Sequence, residues 1–130
     1  MTRRISSGAP WEPVAGYSRA VAAGDFVFVA GCTSIAGGAV VHEDDAGAQT
    51  TQAIANVAQA LERLGACLAD VVRTRMFVTD ITRWEEYARA HGAAFGDVRP
   101  ATSMVEVAAL IDPRMLVEIE ADAYKPGIGA

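Results

Sequence analysis

Two hydrophobic rhythms divide the chain, one of period two and one near 3.6 residues. Phe26–Ala30 reads FVFVA, a β-branched and aromatic run that predicts a strand, and the turn residues Gly24-Asp25 join it to a short strand over Ser18–Ala23. Gly37-Gly38 marks a second turn before a brief strand over Ala39–Val41. Val71–Thr79 alternates, with Thr74, Met76 and Val78 on one face and Arg73, Arg75, Phe77 and Thr79 on the other. Thr102–Leu110 predicts another strand, Asp112-Pro113 a turn, and Met115–Tyr124 the last strand. There Met115, Val117, Ile119, Ala121 and Ala123 face one way, while Leu116, Glu118, Glu120, Asp122 and Tyr124 face the other.

The longer rhythm predicts two helices. Ile54, Val57, Ala58, Leu61 and Leu64 make one apolar stripe, and Gly65 stands where a left-handed cap ends such a helix. A second helix is expected from about Thr82 to Gly96, with Thr82 and Glu85 spaced as a capping box. Residues 1–16 carry neither rhythm and read as an extended, Gly/Pro/Ser-rich lead-in. The resulting order suits a two-layer α+β fold with both helices on one face of one sheet. The other face mixes arginines and carboxylates with Phe26, Phe28 and Phe77, which points to burial against another subunit.

Composition narrows the class. The 130 residues suit a single domain spanning 1–130, and 52% hydrophobic content supplies a core. No stretch reaches the ~18–20 apolar residues of a membrane helix, and Ser6, Ser7, Gly8 and Pro10 stand where a secretory leader would be apolar. Cys32 and Cys67 are too few for a disulfide scaffold and read as reduced thiols, so a cytoplasmic protein without a membrane partner is expected. A net charge of −5 and a single lysine, Lys125, argue against a nucleic-acid partner.

Chemistry concentrates on the last strand. Glu118, Glu120 and Asp122 repeat at about 6.5–7 Å along one face, close enough to repel if water is excluded. One of them is then a candidate general base, against the alternative of a solvated acidic face. Arg75 and Arg99 are candidate anion binders, with a structural ion pair to those carboxylates the favoured alternative. Cys32 and Cys67 read as packing residues, and the isolated His42 and His91 carry no metal-ligand spacing. Trp84 reads as interface packing or as a wall of a cleft, and Gly37-Gly38 lacks the spacing of a phosphate loop.

Six segments in order carry a resemblance: Gly16-Tyr17-Ser18; the FVFVAG strand ending at Gly31; Asp70-Val71-Val72; Phe77-Val78-Thr79-Asp80; Arg99-Pro100-Ala101 with Ser103 and Val105-Glu106-Val107; and Val117-Glu118-Ile119-Glu120-Ala121. From about Tyr17 to Tyr124 the chain closely resembles the Rid family, the reactive intermediate deaminases also called YjgF-type or L-PSP proteins. The resemblance implies a chorismate-mutase-like fold and a homotrimer with ligand clefts between neighbouring subunits. It also implies, for the deaminase members, cofactor-free hydrolysis of enamines and imines to ketoacids and ammonia.

Carried over position by position, the family's cleft tyrosine matches Tyr17, its acidic residue Glu118 and its strand-end glycine Gly31. Ala30 stands for the serine before that glycine, Ala88 for a helix asparagine, Met104 for a cysteine, and Thr102 for the arginine that clamps the substrate carboxylate. A neutral hydroxyl does not replace a planar, permanently charged fork, so standard 2-iminoacid deamination is not expected. The expectation is Glu118 as the catalytic group and Tyr17, Gly31, Arg75, Trp84 and Thr102 as substrate-binding residues. No cofactor or metal is expected, and the ligand would be a small carboxylate or carbonyl compound. A non-catalytic ligand-binding or chaperone-like module of the same fold is the alternative. Ribonuclease activity, a label some members carry, fits poorly with the acidic charge.

Overall fold

The alternating FVFVA run forms the strand around which the rest assembles. In the computed structural model, which describes residues 2–129, this strand is β3 (Phe26–Cys32), paired antiparallel with β2 (Ala20–Ala23). Gly24, at φ 58°, takes the positive backbone angle that a two-residue hairpin loop demands. β1 (Thr2–Ile5) adds to the outer side of β2. On the inner side β3 meets β8 (Val117–Tyr124), then β6 (Val71–Val78) and β7 (Ala101–Glu106), so the sheet order is β1-β2-β3-β8-β6-β7. Only β6 and β7 run parallel. β4 (Ile35–Ala36) and β5 (Ala39–Val40) form a separate ribbon.

Period-two patterning decides which face is covered. Thr74, Met76 and Val78 of β6 and Val117, Ile119, Ala121 and Ala123 of β8 are at most 1% exposed. They lie beneath α2 (Ala46–Arg63) and α3 (Trp84–Phe95). Ile54, Val57 and Leu61 are buried as the stripe predicts, each stabilising the fold by about 1.5–3 kcal/mol. The stripe also runs backward through Gln49, Thr50 and Ala53, two of them polar, which is why apolar periodicity alone starts the helix late. Gln49 joins α2 to the segment entering β8: its side chain accepts from Leu116 N at 2.8 Å and donates to the carbonyls of His42 and Arg114. At the far end Gly65, at φ 93°, donates to Glu62 O while Ala66 N donates to Leu61 O, the paired closure of a Schellman cap.

Three expectations need correction. The lead-in is not extended throughout, because it contains β1 and a short helix α1 (Trp11–Ala15). β1 is an edge strand, stabilised by pairing with β2 rather than by its own pattern. The Thr82/Glu85 capping box does not form: Asp80 Oδ1 accepts from Thr82 N at 3.0 Å, a 3₁₀ turn spans Ile81–Arg83, and α3 starts at Trp84. Glu85 instead pairs with Arg89 one turn on, at 3.1 Å. The last two strands are also shorter than their apolar runs, since the loop between them carries both the Asp112-Pro113 turn and the residues held by Gln49.

Candidate functional site

A one-residue bulge creates the site. Val29 lies opposite Ala121, yet Cys32 lies opposite Ile119, so β3 inserts an extra residue at Ala30-Gly31. Bulges re-aim side chains and concentrate beside active sites. Here the bulge opens a notch over the start of β8, and Glu118 fills it. A Cβ on Gly31 would sit 2.6 Å from Cδ of Glu118 and closer still to Oε2, so only glycine leaves room for the carboxylate.

Glu118 projects from the face that the helices leave open, opposite Phe77 of β6. Among the described residues its carboxylate accepts no hydrogen bond and lies in no ion pair. Burial, reinforced by the charge of Glu120, pushes its pKa above the ordinary 4.5, with Arg19 pulling the other way. Such a carboxyl holds its proton to higher pH than an ordinary one, the direction that favours a part in proton transfer.

Arg19 is the residue that sequence reasoning missed. Its Nη1 donates to Gly31 O at 2.6 Å and to Ala30 O at 3.2 Å, gripping both bulge carbonyls. Its Nε donates to Ser7 Oγ at 3.3 Å, and its guanidinium lies 5.7 Å from the centre of the Tyr17 ring. Only its position, just ahead of β2 on the open-face parity and two residues after Tyr17, signalled this in the sequence.

Tyr17 is set by the N-terminal segment. Glu12 is buried, and its Oε2 accepts from Ser7 N, Ser7 Oγ and Ala9 N at 2.6–3.1 Å. Burial alone would raise the Glu12 pKa, but the hydrogen bonds from Ser7, Ser6 and the Ser7 and Ala9 N–H groups outweigh it and hold it below 4.5. Helix α1 ends with Gly16 at φ 76°, and Gly16 N and Tyr17 N both donate to Glu12 O, which turns the chain so that Tyr17 meets Arg19.

The remaining sequence candidates separate from this cluster. Arg75 Nη1 lies 3.3 Å from Asp122 and 3.7 Å from Glu120, so its ion pairs are with those two carboxylates and not with Glu118. Thr102 pairs across the strands with Thr74 on the helix-covered face, away from the face that bears Glu118. There the Thr102 hydroxyl is 2.7 Å from Thr74 Oγ1, which is 2.9 Å from His91 Nε2. Burial lowers the His91 pKa. Trp84 opens α3 and is 53% exposed. Arg99, exposed, takes φ 54° at the turn into β7. Cys32 and Cys67 are both free thiols, Cys32 buried beneath Arg19 and Cys67 exposed. No group of side chains among the described residues is arranged to hold a metal ion, and no helix is long and apolar enough to cross a membrane.

Comparison with known proteins places this geometry. The family model for Endoribonuclease L-PSP matches residues 7–125. The chain is 39% identical over 126 residues to an uncharacterized protein of Streptomyces coelicolor, covering 97% of this chain and 94% of that one. It is 37% identical over 117 residues to a RutC family protein of Pyrococcus abyssi, covering 88% and 90% of the two. Its fold superposes on the Mycobacterium tuberculosis member of the YjgF/YER057c/UK114 family with a TM-score of 0.87 at 53% identity, covering 95% of this chain and 99% of that one. The α+β architecture expected from the sequence is that of this structure. The chain therefore belongs to the Endoribonuclease L-PSP family, the YjgF or Rid group of proteins.

Proposed function

We propose that the protein is a cytoplasmic homotrimer of one-domain chains that binds a small metabolite beside Glu118 and hydrolyses a C–N bond of an enamine or imine. The observation that carries this reading is Glu118 itself, a half-buried carboxylate with a raised pKa and no hydrogen bond or ion pair among the described residues, lodged in a notch that only glycine permits. Glu118 takes a proton from water as the oxygen bonds to the imine carbon. The C=N pair moves onto the nitrogen of the protonated imine to give a carbinolamine. Glu118 then returns its proton to that nitrogen, the C–N bond breaks, and the hydroxyl proton passes through Glu118 to the departing ammonia, leaving a carbonyl compound and ammonium. Tyr17, held over Arg19, orients the substrate from the side.

The open sheet face supports the trimer. Phe26, Phe28 and Tyr124 are each 42–45% exposed there and lie ring against ring, with centroids 5.2 and 6.0 Å apart. Apolar surface of this kind, next to the Arg75–Glu120–Asp122 cluster, suits a partner of the same shape and charge. Two free thiols fit a reducing compartment. The −5 charge with a single lysine favours a metabolite over RNA, despite the endoribonuclease label of the family.

One observation favours a second reading, ligand binding without turnover: Thr102 stands where the family's carboxylate-clamping arginine is expected, and its hydroxyl is engaged with Thr74. Ammonia release from a panel of freshly generated imines, beginning with 2-aminoacrylate, tests both. The hydrolase reading expects turnover of at least one imine that Glu118→Gln abolishes. Full activity of that variant removes Glu118 from the mechanism, and binding without ammonia release from any imine leaves the second reading.

A further inference from the structure

Among the arginines near the open face, Arg75 is already engaged by Glu120 and Asp122. Arg19 is differently placed. Nη1 is committed to the bulge carbonyls and Nε to Ser7, which fixes the guanidinium plane. Among the described residues Nη2 has no partner. The Tyr17 ring lies to one side of the guanidinium. Arg19 opposes the rise in the Glu118 pKa that burial causes, yet forms no ion pair with that carboxylate among the described residues. A guanidinium held by four hydrogen bonds, to Ser7, Ala30, Gly31 and Cys32, with one donor edge left open is preorganised for a planar oxyanion, because little rotamer freedom remains to be lost on binding.

We propose that Arg19 is the anion-recognition residue of this site, its Nη2 edge binding the carboxylate of a 2-imino or 2-oxo acid whose reacting carbon then faces Glu118. This rests on the reading of Glu118 as the reacting group. It supplies, from the residue just ahead of β2, a cation that position 102, on the opposite face of the sheet, does not provide. The bulge serves both residues: its glycine makes room for Glu118, and its carbonyls anchor Arg19.

Calorimetric titration with 2-oxobutyrate and with its neutral isostere 2-oxobutyramide tests the assignment without depending on turnover. The wild-type protein is expected to prefer the carboxylate by about tenfold or more, the size of a charge-assisted hydrogen bond. Arg19→Gln is expected to lose that preference while binding the amide as before. A preference that survives in Arg19→Gln overturns the inference and leaves the reading of Glu118 standing. Failure of both probes to bind the wild type overturns both. Because Arg19 also anchors the bulge, a second measurement uses the unaltered protein: 2-oxobutyrate should protect Arg19 from phenylglyoxal, mapped by mass spectrometry, and 2-oxobutyramide should not. Equal labelling in the two cases counts against the proposal even if the variant does not fold.

Discussion

The carboxylate of Glu118 occupies the space in which a side chain at position 31 would have to sit. Gly31 belongs to a bulge that a regular strand would lack, and Glu118 to a strand whose alternate residues are fully buried. The pair therefore records a choice between sheet regularity and room for a half-buried carboxylate, settled for the carboxylate. Four consequences can be measured.

Gly31→Ala should separate stability from function. The group that must move is the far end of a flexible side chain, so the cost is that of a strained rotamer, about 0.5–1.5 kcal/mol. Displacing the carboxylate from its notch should lower kcat/KM by tenfold or more. Thermal melting beside steady-state kinetics checks this, and a variant with full activity would show that Glu118 acts from elsewhere.

Glu118→Gln should melt higher than the wild type at neutral pH. A carboxyl whose folded pKa lies above its unfolded value makes the folded state hold the proton more tightly, so stability falls as pH rises from 4.5 through the raised pKa. Glutamine does not titrate. The gap in melting temperature should close below pH 4.5 and be widest above the folded pKa. Any imine hydrolysis by the wild type should fall away on the acid side with a midpoint above 4.5.

Glu12 carries the opposite sign. Its pKa is held below 4.5, so its contribution is complete above that value and is lost as pH falls through the lowered one. Glu12→Ala strips an acceptor from Ser7 N and Ala9 N and should cost about 1–3 kcal/mol at neutral pH, with the difference shrinking in acid. Loosening of α1 should also raise KM through Tyr17. Denaturant melts at pH 3 and pH 7 supply the comparison.

Phe28→Asp tests the assembly. Phe28 is 45% exposed and lies opposite Asp122, so the change places like charges across the strands on the open face. Sedimentation should show the wild type at about three times the 13.6 kDa chain mass and the variant at the mass of one chain, with its far-ultraviolet dichroism retained. A wild type that sediments as a single chain would contradict the proposed trimer.

Much of the fold was legible because burial leaves a period in the sequence. The alternation in Val71–Val78 and Val117–Tyr124 marked the covered face residue by residue, and the Leu61–Leu64–Gly65 stretch marked the end of a helix. The N-terminal strand and helix were not legible, since β1 depends on its pairing with β2 and α1 on the Glu12 carboxylate that braces the turn before it. The start of α3 was misplaced because Asp80 caps a 3₁₀ turn over Ile81–Arg83 that takes in Thr82, and the α-helix begins only after it.

The site divides in the same way. Motifs singled out Glu118, Gly31 and Tyr17 as candidates, while nothing singled out Arg19, because its hydrogen bonds depend on carbonyls that a bulge turns toward it. By itself the sequence determined the covered face, the order of most elements and the strand that carries the acidic row, since these follow from local periodicity. Only the tertiary structure decided that Arg75 belongs to Glu120 and Asp122, that Thr102 joins Thr74 on the other face, and that Gly31 and Arg19 frame Glu118. Strand register and a single inserted residue set those relationships, and neither leaves a period along the chain.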